Sequence, residues 1–199
     1  MPYRTVSEYI GERFHTSRRF LAVLNPGVNL TGLQAGDSVR VPNVNPFRIE
    51  NVPETANLPR KSALAGRSLV VDTGIRMLEV REGDRLVATF PITPGSSNLP
   101  APVGTWSIVG IATLPWYRHD EGVLMRGERT DTFHMIPAGP NNPVGVLWMG
   151  LSRRGIGIHG TNFPDTIGRA ASHGCIRLAN WDADKLRHLV TTGARVVIR

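Results

Sequence analysis

From Ser68 onward the chain is built of short apolar–polar runs punctuated by glycine-containing turns, and that pattern constrains the fold more than anything else in it. Ser68 to Asp72, Arg76 to Arg81 and Arg85 to Phe90 are such runs, joined by Thr73-Gly74 and by Glu82-Gly83-Asp84. Side chains of a strand alternate between two faces, and glycine supplies the backbone freedom of a tight turn, so the reading is antiparallel hairpins. Thr105 to Ile111 and Val146 to Leu151 extend the series, and Gly157-Ile158 brings a further strand up to His159. A last helix, capped by Asn180 or Asp182, is expected to run to Val190; Gly193 ends it, and Arg195 to Ile198 forms a closing strand. Between Thr113 and Gly145 lies a long Pro- and Gly-rich connection with Trp116 and Tyr117 inside it. A connection of that length in a compact domain is usually functional, and it is read as a flap. The expected fold class is mainly β, antiparallel and sandwich-like, with a long flap and one C-terminal helix.

The first forty residues follow a different rule. Val6, Ile10 and Phe14 recur at helical spacing, and Thr5 with Glu8 makes a capping box. Ser17 caps a second helix bearing Phe20, Leu21 and Leu24, which Asn25-Pro26-Gly27 ends. A turn-rich stretch, Leu30 to Asp37, then leads to an expected short strand from Ser38 to Val41. Pro42, Pro46, Pro53 and Pro59 hold the following segment extended as a spacer. With 199 residues, of which 41% are apolar, the chain suits one larger domain plus a small module. The expected division is 1–43, a linker over 44–66, and 67–199.

Charge narrows the partners without naming them. The net charge is +7, carried almost wholly by arginine, since Lys61 and Lys185 are the only lysines. The arginines are scattered, with Arg18-Arg19 and Arg153-Arg154 as the doublets, and no basic stripe is interleaved with aromatics as a nucleic-acid surface would require. Nucleic acid is therefore not an expected partner, whereas anionic envelope polymers remain one. No run of eighteen apolar residues is present to span a membrane, and Met1-Pro2-Tyr3-Arg4 opens no signal peptide.

The chemistry concentrates between Gly157 and Leu178. This stretch holds the single cysteine, Cys175, and two of the six histidines, His159 and His173, each followed by glycine. A free thiol is only a few per cent ionised at neutral pH and needs a base to attack, and two imidazoles lie close in sequence. Backbone N–H groups at Gly174 and Cys175, left uncovered by glycine, suit an oxyanion hole. Zinc is the competing use of His159, His173 and Cys175, but a second cysteine and a paired-ligand spacing are missing. No metal and no organic cofactor is expected. Residues 173 and 175 point the same way in extended chain but stand about 6–7 Å apart, so a residue on an adjoining strand reaches the sulfur more directly. That favours His159 as base, while the reverse assignment to His173 stays open on the residues alone. Arg177 is placed to grip a substrate carboxylate or to form a structural ion pair. Ser172 is expected to hold the turn.

At these positions the sequence resembles the L,D-transpeptidases of bacterial cell-wall synthesis. His159, then Ser172-His173-Gly174-Cys175 and Arg177, fill that family's signature, and Ile136 to Pro143, Trp148 to Ser152 and Pro102 to Trp106 extend the likeness over Arg67 to the end. The resemblance implies Cys175 as nucleophile, His159 as base with the Gly160 carbonyl orienting it, His173 lining the site, and Thr161, Asn162 and Trp148 near the substrate. It implies peptidoglycan stem peptides as partners, a cell-envelope location, and sensitivity to carbapenems. Alternatives within the same chemistry are an L,D-carboxypeptidase that uses water as acceptor, or an inactive wall-binding protein. Leu24 to Gly27, Leu30, Gly36-Asp37 and Val39 to Pro42 are similar to a LysM module, a small α+β glycan-binding domain, here lacking the opening strand. That likeness adds glycan strands as an expected partner.

Overall fold

The computed structural model describes residues 1–54, 56–96, 98–122, 128–169 and 174–199. Two helices come first, α1 (Val6–Arg13) and α2 (Arg18–Leu24), followed by the short strand β1 (Ala56–Asn57). The hairpin series is β2 (Arg67–Asp72), β3 (Met77–Glu82), β4 (Arg85–Pro91) and the long β5 (Gly104–Thr113). A small ribbon of β6 (Tyr117–His119) and β7 (His134–Ile136) precedes β8 (Leu147–Leu151), β9 (Gly157–His159) and β10 (Ile176–Arg177). Helix α3 (Asn180–Leu186) and β11 (Arg195–Ile198) end the chain.

β5 is the strand on which two half-sheets meet. Its first residues, Gly104 to Ser107, pair with β11, which continues through β2 and β3 to β4. From Ile108 on, across a register shift between Ile108 and Gly110, it pairs with β8, which continues through β9 to β10, while β1 pairs with the end of β5. A bulge bends a strand and increases its twist, which lets one ten-residue strand serve both halves. Alternation does the rest: Leu69, Val71, Leu78, Val80, Ile108, Ile111, Leu147, Met149, Val196 and Ile198 turn inward and form one buried cluster with Ile158, Ile176, Ala183 and Leu186. The result is the expected mainly β body with one C-terminal helix, but its strands form one curled sheet of mixed pairing, with β11 parallel to β2 and β10 parallel to β9, in place of the antiparallel sandwich expected from the sequence.

Several expectations need correction. No strand forms over Ser38 to Val41. The backbone of Arg40 is satisfied by the side-chain amide of Asn25 instead, which donates to the Arg40 carbonyl at 2.8 Å and accepts from its N–H at 2.7 Å. The LysM-like α+β pattern is thereby reduced to two helices, capped by Thr5 and Ser17 as read. The proline-rich segment is not a free spacer: Phe47 and Val52 belong to the core, Phe47 donates to the Arg13 carbonyl at 2.8 Å, and β1 joins the sheet. The last helix stops at Leu186 instead of Val190, and neither Asn180 nor Asp182 caps it; Ala179 stands at the cap with no side-chain hydrogen bond. Asn180 is drawn inward, for a reason that belongs to the site.

Candidate active site

β9 and β10 run parallel, with Arg177 opposite His159 and Ile176 opposite Ile158. On the other side of β9, Trp148 of β8 stands opposite His159. Cross-strand partners share a face, so Trp148, His159 and Arg177 form a row, and Cys175, two residues before Arg177, falls on the same side as a diagonal neighbour of His159. Thr93 closes the row: it exchanges two backbone hydrogen bonds with Arg177, at 3.0 and 2.9 Å. Of the candidate catalytic residues, His159 and Cys175 are thus brought to one sheet face, while His173 and Ser172 lie outside the described residues.

The imidazole of His159 is 5% exposed. Its Nδ1 lies 2.6 Å from the Gly160 carbonyl oxygen, which can only accept, so Nδ1 carries the proton and Nε2 keeps its lone pair. The Trp148 ring stacks on it, centroids 5.6 Å apart at 25°. That packing needs glycine at position 157, where a Cβ would come within 2.6 Å of the indole. Burial pushes the His159 pKa down to about 4, with the Gly160 carbonyl opposing and the Arg177 charge assisting. The ring is therefore neutral at physiological pH.

Cys175 is partly exposed, and its thiol points to the Gly155 carbonyl at 3.7 Å. Burial pushes the thiol up, while a backbone hydrogen bond from Gly157 and the Arg177 guanidinium pull it down. Burial thus favours the neutral form of both the thiol and the imidazole. Gly174 has φ of 103°, in the left-handed region that favours glycine, which explains the residue before the cysteine. The Arg177 guanidinium is half-buried and electrostatically coupled to Cys175 and Tyr117. Tyr117, on β6, faces the same two groups: burial raises its phenol first, then Cys175, with Arg177 opposing. Tyr117, within the described part of the long connection, is thus near enough to feel the charges of Cys175 and Arg177, and sequence reasoning noted it only by location. The ribbon that holds it is anchored by the buried Asp120 carboxylate, which accepts from Thr130 N at 2.9 Å and Thr130 Oγ1 at 2.8 Å and pairs with Arg118.

Thr161 is 1% exposed; its hydroxyl accepts from Phe163 N at 3.2 Å and its N–H goes to Asn180. It shapes the loop and offers no surface to a substrate. Asn162 is half-buried beside the exposed Phe163. Two further residues were missed as parts of the site, Thr93 without any sequence signal and Asn180 because it reads as a cap. Thr93, fully buried, donates from Oγ1 to the Thr166 carbonyl at 3.0 Å and accepts from Gly168 N at 2.9 Å, holding the loop that precedes the cysteine. Asn180 reads as a helix cap but accepts from Val146 N at 3.1 Å and Thr161 N at 3.2 Å, behind His159. Among the described residues no cluster of three potential metal ligands occurs, and no helix is long and apolar enough to cross a membrane.

The chain is 32% identical over 191 residues to YkuD of Bacillus licheniformis, a protein named as an L,D-transpeptidase, covering 96% of this chain and 92% of that one. It is 28% identical to YbiS of Escherichia coli, also so named, over 95% of this chain and 58% of that one. Among solved structures, an L,D-transpeptidase from Mycobacterium smegmatis superposes with a TM-score of 0.53 at 18% identity, over 67% of this chain and 58% of that one. The catalytic domain of the Enterococcus faecium L,D-transpeptidase superposes with a TM-score of 0.51 at 18% identity, over 67% of this chain and 96% of that domain. The chain thus spans about three fifths of the first of these solved chains and nearly all of the isolated domain. The profile of the YkuD L,D-transpeptidase catalytic domain matches residues 66–198, and the chain belongs to that family.

Proposed function

We propose that the protein is a cysteine acyltransferase of the cell envelope that exchanges the terminal D-alanine of a peptidoglycan tetrapeptide stem for an amine, with Cys175 as nucleophile and His159 as its base. The observation that carries this reading is the Nδ1–H bond of His159 to the Gly160 carbonyl, which leaves Nε2 as a proton acceptor on the strand beside the cysteine. The catalytic unit is assigned to residues 67–199, in keeping with the family match.

Nε2 of His159 takes the thiol proton as Sγ attacks the carbonyl carbon of the diamino-acid residue. The N–H groups of Gly174 and Cys175 serve the tetrahedral oxyanion, each such donor being worth about 3 kcal/mol in comparable sites. Collapse expels the D-alanine amine, which receives the proton from His159, and leaves a thioester on Cys175. An incoming amine attacks that thioester, gives its proton to His159 and releases the thiol. The imidazolium formed in passing is held by the Gly160 carbonyl at Nδ1 and by the Trp148 face, a cation–π contact. Arg177 takes the carboxylate of the stem, and His173 and Ser172 line the approach.

Intact-mass analysis with a defined tetrapeptide and an amine acceptor tests the reading. The expected results are a thioester adduct on the wild type, none on Cys175→Ala, and an amine-exchanged product in preference to a hydrolysed one. Retention of exchange by Cys175→Ala contradicts the mechanism. A greater loss in His173→Ala than in His159→Ala contradicts the base assignment. An L,D-transpeptidase structure is described in complex with imipenem; acylation of Cys175 by the same compound is the corresponding expectation for this chain.

A further inference from the structure

Helix α1 lies outside the family match, which begins at residue 66, yet it enters the back of the site. Glu12, 6% exposed, accepts from Asn180 Nδ2 at 2.7 Å, and the Tyr3 hydroxyl donates to the same carboxylate. Asn180 is fully buried, and its second Nδ2 contact is the Pro140 carbonyl at 3.3 Å. With the amide nitrogen held by these acceptors, Oδ1 is oriented toward Val146 N and Thr161 N. The fit is close: a Cβ at Gly160 would stand 2.2 Å from Asn180 Oδ1, and one at Gly145 2.0 Å from it. Gly160 supplies the carbonyl that holds His159 Nδ1. A continuous path of packed polar contacts therefore runs from Glu12 through Asn180 to the turn that orients the base. The helix is fastened in place around it: His15 stacks on Trp181 at 5.1 Å, and Asn141 Nδ2 donates to the Pro2 carbonyl at 2.8 Å.

We propose that Glu12 is a positioning residue for the His159 base, acting through Asn180, so that the N-terminal helix is a working part of the catalytic centre. This rests on the reading of Cys175 and His159 as the reacting pair. The role depends on the reach of the side chain to Asn180 more than on its charge. Glu12→Asp keeps the charge and withdraws the acceptor by one methylene; Glu12→Gln keeps the reach and removes the charge. A buried carboxylate that merely anchored the helix would give no such order.

The test is acylation of the 199-residue chain by imipenem, followed by intact mass at saturating and subsaturating reagent, with folding checked by circular dichroism. Glu12→Asp is expected to lower the limiting acylation rate about tenfold with apparent affinity changed less than about twofold, because misplacing a reacting group acts on the chemical step. Glu12→Gln is expected to stay within about threefold of wild type. Hydrogen exchange at the Val146 and Thr161 amides is expected to speed up about tenfold or more in Glu12→Asp and to change little in Glu12→Gln. A wild-type limiting rate in folded Glu12→Asp, or an equal loss in both variants, overturns the proposal, as does unchanged protection of the two amides. Failure of the wild type itself to be acylated on Cys175 sinks the underlying reading and this inference together. An acylated wild type with indifferent Glu12 variants sinks this inference alone.

Discussion

Thr93 and Arg177 exchange both of their backbone hydrogen bonds, at 3.0 and 2.9 Å, and the Thr93 hydroxyl then clamps the 166–168 segment that leads to the cysteine. One fully buried threonine thus ties β10 to the loop before it. Thr93→Val removes the hydroxyl at nearly constant volume and leaves a part-buried carbonyl and N–H without it, so a destabilisation of about 1–2 kcal/mol is expected in urea unfolding. Thr93→Ser keeps both hydrogen bonds and should retain most of the stability and of the acylation rate.

The proposed role of His159 as base sets an expected pH dependence. With the His159 pKa held at about 4 by burial, the acid limb of Cys175 acylation is expected near pH 4, well below the ordinary imidazole value of 6.5. The same shift enters stability. Between pH 6.5 and 4 the unfolded chain binds a proton that the folded ring refuses, so this contribution is present above 6.5 and is lost as pH falls through 4. A pH–rate profile with its acid limb at 6 or above contradicts the assignment.

Glu12 has the opposite sign. Burial raises its carboxyl to about 7 from 4.5, against the hydrogen bonds from Tyr3 and Asn180 and with help from the Glu8 charge. Between those values the folded state holds a proton that the unfolded chain has released, so stability falls as pH rises from 4.5 to 7. Glu12→Gln removes that dependence. Its stability relative to wild type should climb across the window, by on the order of 2 kcal/mol, in melts at pH 5 and pH 8.

Gly160→Ala drives a methyl into the Asn180 amide at 2.2 Å and the Val146 N–H at 3.1 Å. Neither neighbour is the free end of a flexible chain, so a loss of about 1–3 kcal/mol and a sharp fall in acylation are expected together. Gly36→Ala meets nothing within 4 Å but carries φ of 99°, so it should cost stability alone and leave the acylation rate unchanged.

Trp148→Leu removes the ring that lies on His159 while keeping an apolar side chain on β8. On the proposed mechanism the imidazolium of the transition state loses its aromatic face, and acylation is expected to drop by about 5- to 30-fold, in keeping with a cation–π contribution of about 1–2 kcal/mol in a desolvated site. Affinity for imipenem should change little.

The local pattern of this chain was readable wherever one residue's own chemistry decides its surroundings. Alternation from Arg67 to Pro91 names strands because a slip of one residue would expose Leu69, Val71, Leu78 and Val80 together. Thr5 and Ser17 name helix starts because each hydroxyl satisfies an N–H three residues on. Glycine before Cys175 marks a backbone that no other residue adopts readily, and a lone thiol that follows two histidines in one short stretch marks the candidate chemistry.

Sequence alone thus determined the β-rich body, the two leading helices and the stretch that carries the candidate site. Only the tertiary structure decided what each polar residue was for. Asn180 heads a helix and carries the side chain of a cap, but its amide is spent on Val146, Thr161 and Glu12, which lie far from it in sequence. Arg40 sits in a run that looks like a strand, yet the partner that satisfies its backbone is the side chain of Asn25. Hydrogen bonds of this kind are directional and non-local, so their partners exist only once the chain has closed on itself. Apolar alternation carries no record of them.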